Sequence, residues 1–155
     1  MNMSWLRFLP APLRRALYFR LQTAIGSRIH SVWKEFLSWE QFTPAELDAA
    51  VDKKLSWVLE SASAHSEYYR RMKIQRRPNE PAKNWLKRFP ILERPLVREH
   101  FSDIVIDPLR SQIPSPEVSS PNGYSWLIVK TGGTTGVPTT VVHDANTRDW
   151  GRVTR

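Results

Sequence analysis

The segment from Thr131 to Gly136 constrains this chain more than any other, because it packs three of the six glycines and three threonines into six consecutive positions. Glycine admits left-handed backbone angles and leaves its amide uncovered. Successive uncovered amides form a concave nest that attracts anions, and threonine hydroxyls add donors at its rim. Before the segment, Tyr124-Ser-Trp-Leu-Ile-Val-Lys130 is β-branched and aromatic and follows an Asn122-Gly123 turn signal, which predicts a strand. After it, Thr139 to His143 has the same strand character, and Asp144 is placed to cap a helix starting near Ala145. The expected unit is strand, glycine-rich loop, strand, helix, in an α/β fold.

Two common phosphate loops do not fit. A Walker A loop places Lys and then Ser or Thr directly after its last glycine and opens a helix. Here Val137-Pro138 follow Gly136. The dinucleotide fingerprint needs a residue between its first two glycines, whereas Gly132 and Gly133 are adjacent. A ligand-free glycine-rich hairpin is the plain alternative. Two residues such as Asn-Gly suffice for a tight hairpin turn, while this loop is longer and rich in hydroxyls. That difference favours a phosphate cradle.

Thr131-Gly-Gly-Thr-Thr-Gly-Val-Pro138 resembles the phosphate loop of the adenylate-forming superfamily, which includes acyl- and aryl-CoA ligases. Many members carry Lys-Gly after the proline; Thr139-Thr140 stand there in this chain, as in the phenylacetate–CoA ligase-like branch, which also includes proteins linked to capsular polysaccharide biosynthesis. Two upstream segments, Ala62-Ser-Ala-His-Ser-Glu-Tyr-Tyr-Arg70 and Phe89-Pro-Ile-Leu-Glu-Arg-Pro-Leu-Val-Arg98, are similar to segments of that branch. The resemblance spans roughly residues 43–155. It implies N-terminal helices followed by the beginning of an adenylate-forming N-terminal domain. In the family the loop wraps the β- and γ-phosphates of ATP while a carboxylate attacks the α-phosphate.

By that resemblance Thr131, Thr134 and Thr135 would supply hydroxyls, and Gly132, Gly133 and Gly136 backbone amides. The cofactors implied are ATP with Mg2+, and CoA as a candidate acceptor; the partner is a carboxylic acid. The family's motifs for adenine, magnesium and ribose, and its mobile lysine, follow the loop and have no counterpart before Arg155. The expectation is therefore an N-terminal portion of the ligase that is inactive by itself.

Composition sets the remaining bounds. A chain of 155 residues with 41% apolar residues and seven tryptophans is large enough to bury a core. It contains no cysteine, so disulfide frameworks and cysteine-ligated zinc are excluded. No apolar run approaches the length needed to cross a bilayer, and Arg14-Arg15 interrupt any signal-peptide core. The expected location is cytoplasmic, with peripheral membrane attachment as an option.

Charge is segmental. Residues 1–34 carry six basic and no acidic side chains, and residues 35–69 carry two basic and seven acidic ones. Residues 70–110 carry eleven basic and five acidic, and residues 111–155 four and three.

Residues 1–42 form an expected basic amphipathic helical region, distinct from residues 43–155. Leu13, Leu17, Leu21, Ile25 and Ile29 recur every four positions, continued by Val32, Trp33, Phe36 and Leu37, and predict a long helix. Its apolar stripe packs on the rest of the domain or, alternatively, lies on an anionic membrane. Thr43-Pro-Ala-Glu46 predicts a capping box opening a second helix with Leu47, Val51, Leu55, Val58 and Leu59 on one stripe. The basic run from Arg70 to Arg77, with Trp85 and Phe89 as stacking candidates, is an option for nucleic acid and more ordinarily a solvated face. A short helix over Leu96 to Phe101, a strand at Ile104 to Ile106 and an extended loop over 107–123 complete the expectation. The four histidines lack metal-ligand spacing, and Asp144 and Asp149 do not share a helix face.

Overall fold

In the computed structural model, residues 10–121, 125–131 and 138–154 are described. The described chain is mostly helical and contains a two-stranded antiparallel sheet. It divides into two compact units, residues 10–41 with 120–121, 125–127 and 143–154, and residues 42–119 with 128–131 and 138–142.

In the first unit, α1 (Ala11–Ala24) begins with Pro12 in its first turn, where proline's missing amide and fixed φ do no harm. The long helix expected from the leucine repeat is instead two helices. Gly26 takes φ +87°, its amide donates to Thr23 O at 3.0 Å, and the Ser27 amide donates to Gln22 O at 2.9 Å. These paired bonds are a left-handed helix stop. A strict four-residue repeat also drifts about 40° per step around a helix, so Ile29 would lie about 160° from Leu13. The chain restarts as α2 (Ile29–Trp39), which buries Ile29 and Val32.

α2 packs against α9 (Ala145–Val153). Asp144 caps α9, its Oδ1 accepting from the Thr147 amide at 2.6 Å. The Trp39 and Trp150 rings lie 5.1 Å apart, and Trp126 is buried in the same unit.

In the second unit, α3 (Pro44–His65) opens with the expected capping box. The Glu46 carboxylate accepts from the Thr43 amide at 2.8 Å, and the Glu46 amide donates to Thr43 Oγ1. α3 packs against α4 (Glu67–Arg71) and α5 (Ala82–Leu86). Asp52 on α3 accepts from the Ala82 amide at 2.7 Å, which fixes the start of α5. Leu59, Ala82, Trp85, Phe101, Val105 and Ile113 are buried. Trp85 is therefore core and offers no stacking face, and Phe89 packs against it and Tyr69.

The next segment departs from expectation. α6 (Arg94–Glu99) and α7 (Phe101–Ile104) are separate short helices. Ile104 to Ile106 is no strand: the Val105 amide donates to Phe101 O, and its side chain is buried. Tertiary burial overrides β-propensity here. The expected extended loop begins as α8 (Asp107–Arg110), with Pro108 in its first turn.

β1 (Trp126–Lys130) pairs with β2 (Thr140–Asp144). The Ala145 amide donates to Ser125 O at 3.1 Å and the Thr131 amide to Thr139 O at 2.9 Å, which sets the register from each end. No helix among the described residues is long and apolar enough to cross a membrane.

Candidate phosphate-binding site

Of the unit read from the sequence, the two strands and the helix are present as β1, β2 and α9. Of the six predicted loop residues, Thr131 is described. Gly132, Gly133, Thr134, Thr135 and Gly136 lie outside the described residues.

Thr131 and Thr139 face one another at the neck of the loop. Besides the backbone bond, Thr131 Oγ1 accepts from the Thr139 amide at 3.0 Å. The hydroxyl thus uses its oxygen on the neck and keeps its proton for donation elsewhere. Thr139 and Thr140 are buried, whereas Thr131 is exposed. A fixed pair therefore bounds a loop of glycines and threonines, with one hydroxyl oriented by the neck itself.

Beside the neck lies a cavity of about 280 Å³ within the second unit. Lys130, Pro138 and Thr140 line it from the strands, Arg98 and Phe101 from the α6–α7 segment, and Glu117 from the following loop. Arg98 Nε donates to Arg94 O, one turn earlier on α6. The two cations outnumber the one carboxylate, so the cavity favours an anion. Sequence reading missed this grouping, since Arg98 and Lys130 are far apart in the chain and no local pattern joins them.

Three of the five cations of the 70–77 run are engaged locally. Arg70 pairs with Asp107 at 2.7 Å, Arg71 with Asp103 at 3.0 Å, and Arg76 with Asp52 at 3.4 Å. Arg88 pairs with Glu80, whose carboxyl also accepts from the Arg77 amide at 3.0 Å. That backbone hydrogen bond, with help from the neighbouring arginines, holds the Glu80 carboxyl below its ordinary value.

Comparison with family models, curated proteins and solved structures returns no match. The site must be judged on its own geometry.

Lys130 and Arg98 bring an ammonium and a guanidinium group to the cavity, which suits phosphate oxygens; Thr131, whose hydroxyl keeps a donor, stands at the neck and does not line that cavity. These residues do not form a magnesium site, and among the described residues no group of three or more carboxylates and histidines is placed to hold a metal. Asp144 and Asp149 have other work. Asp144 caps α9, and Asp149 is fully buried, accepting from the Arg28 amide and the Ser27 hydroxyl. His143 lies on β2, half-buried, at some remove in sequence from the neck.

Proposed function

We propose that this chain supplies the phosphate-cradling part of an ATP-dependent adenylate-forming ligase of the phenylacetate–CoA ligase-like kind. The observation that supports this reading is the Thr131–Thr139 neck, which bounds the glycine–threonine loop and orients a hydroxyl at its edge. In such a ligase a carboxylate oxygen attacks the α-phosphorus of ATP. The bond from that phosphorus to the bridging oxygen breaks, pyrophosphate leaves, and the acid becomes an acyl-adenylate.

The loop's task is positional and electrostatic. Held β- and γ-phosphates align the α-phosphorus for attack, and donors fixed around the departing pyrophosphate stabilise its developing charge. Thr131 would donate its hydroxyl proton to a phosphate oxygen, and Lys130 and Arg98 would neutralise charge from one side. Magnesium, when bound, shields the same phosphates, and no described residue is assigned to it. CoA is the candidate acceptor of the activated acyl group. A cytoplasmic site of action, where ATP is supplied, goes with this reading.

Titration of isotope-labelled chain with tripolyphosphate, followed by amide NMR, tests the proposal. Shifts concentrated at residues 130–139 and around Arg98, lost in Thr134→Ala/Thr135→Ala, are expected. Loop amides that do not respond at millimolar ligand would refute it.

A further inference from the structure

We propose that α1 docks this protein on an anionic membrane surface. Leu13, Leu17 and Leu21 wind about 80° around one flank of α1, and Ile25 follows at its C-cap. Leu13 is 56%, Leu21 44% and Ile25 57% exposed, and α1 buries none of its own residues. Three exposed apolar residues, with half-buried Leu17 between them, make a continuous apolar flank and not the scattered exposure of an ordinary surface.

The charge around this flank selects what covers it. Arg14 and Arg20 project beside the flank by the helix step, and α1 contains no acidic residue. On the neighbouring side, α1 and α2 enclose a groove of about 650 Å³ with Phe19, Trp33 and Leu37 in its wall and Arg15, Arg20 and Lys34 around it. None of Arg14, Arg15, Arg20 and Lys34 forms a salt bridge with another described residue, in contrast to Arg70, Arg71, Arg76 and Arg88 of the second unit.

An apolar ridge with unneutralised arginines beside it suits lipid, which takes alkyl side chains at the headgroup boundary and cations at its phosphates. The long arginine stems lie along apolar surface while their heads reach the phosphates. A nucleic acid would use the cations and leave the leucines in water. A second copy of this face would bring like charges together.

Co-sedimentation of the full chain with vesicles decides the matter. Phosphatidylglycerol-containing vesicles are expected to bind it at low salt, and phosphatidylcholine vesicles to bind it far more weakly. Binding should fall as salt approaches about 1 M, where screening acts within ~3 Å. Each arginine removed should cost roughly fivefold in partitioning, so Arg14→Gln/Arg15→Gln/Arg20→Gln should lose on the order of a hundredfold. Leu13→Ser/Leu21→Ser, which keeps every charge, should also bind more weakly. Circular dichroism checks that both variants stay helical, and the salt series on the unaltered chain tests the charge without substitution. Absence of binding at low salt, equal binding to both vesicle types, RNA binding without vesicle binding, or self-association through the leucine ridge in place of vesicle binding would each overturn the proposal.

Discussion

The Arg28 amide donates to Asp149 Oδ2 at 2.7 Å, so a carboxylate on the last helix caps the start of the second. Asp149 Oδ1 also accepts from Ser27 Oγ at 3.0 Å, and Ser27 Oγ in turn accepts from the Ile29 amide. α2 has no capping side chain at its own N-cap position, which is Arg28. Its first amides are satisfied by a residue 121 positions away and by the preceding serine. A negative charge at a helix N-terminus is also favoured by the helix dipole. One buried carboxylate thereby ties α9 to α2 and caps the start of α2.

Removing that carboxylate should be costly. Asp149→Ala leaves the Arg28 amide and the Ser27 hydroxyl without their acceptor, and a loss of about 2–3 kcal/mol is expected. Asp149→Asn keeps an acceptor oxygen but gives up the charge, and should fall between wild type and alanine. Urea unfolding followed by circular dichroism reads both. A loss below about 0.5 kcal/mol for alanine would show that α2 does not depend on this cap.

Gly26 should resist substitution for a conformational reason alone. Its φ is +87°, and a Cβ placed there meets no atom within 4 Å. Gly26→Ala should therefore cost about 1–2 kcal/mol through the left-handed backbone and not through a clash. Gly26→Asn should cost less, because asparagine tolerates this region better. If valine proved no worse than asparagine in thermal melts, the left-handed stop would not be the reason for the break.

Acid should weaken the second unit in a defined direction. Hydrogen bonds from the Thr43 amide and hydroxyl hold the Glu46 carboxyl below its ordinary value of 4.5, and the Arg77 amide acts likewise on Glu80. A carboxyl whose folded pKa is depressed contributes stability above its unfolded pKa and loses it as pH falls through the folded one. Stability should be level above the ordinary carboxyl value and decline below it. Glu46→Gln should make that decline shallower, and Thr43→Ala should cost about 1 kcal/mol at neutral pH. Equal acid slopes for wild type and Glu46→Gln would remove Glu46 from the account.

What was legible in the sequence was local. The Thr43–Glu46 box and the Asp144 cap are each complete within four residues, and both stand as read. The two strands were legible because β-branched runs border a glycine-rich segment, although β1 starts at Trp126, after Ser125, and Tyr124 lies outside the described residues. Gly26 was hidden by a four-residue apolar repeat that mimics one continuous helix. The Ile104–Ile106 run has strand chemistry, yet Val105 is buried and its amide closes the last turn of α7 on Phe101 O. Asp149 with Arg28, and Arg98 with Lys130, are joined only by tertiary folding. No local pattern marks either pair.

Thr131 offers the sharpest separation of scaffold from ligand contact. Its oxygen accepts from the Thr139 amide, and its proton is left for a ligand. Thr131→Val retains the branched shape and removes both functions. The neck should loosen by about 1 kcal/mol as the Thr139 amide loses an acceptor, and the response to tripolyphosphate should disappear. Thr131→Ser restores oxygen and proton together, so it should recover most of both. Lys130→Gln and Arg98→Gln leave the neck bond intact. They should weaken the response and flatten its salt dependence without changing stability by more than about 0.5 kcal/mol. Amide NMR with parallel urea unfolding distinguishes the cases. If Thr131→Val lost stability yet kept the full tripolyphosphate response, the hydroxyl would be a hairpin clasp alone. The phosphate would then have to be held without Thr131.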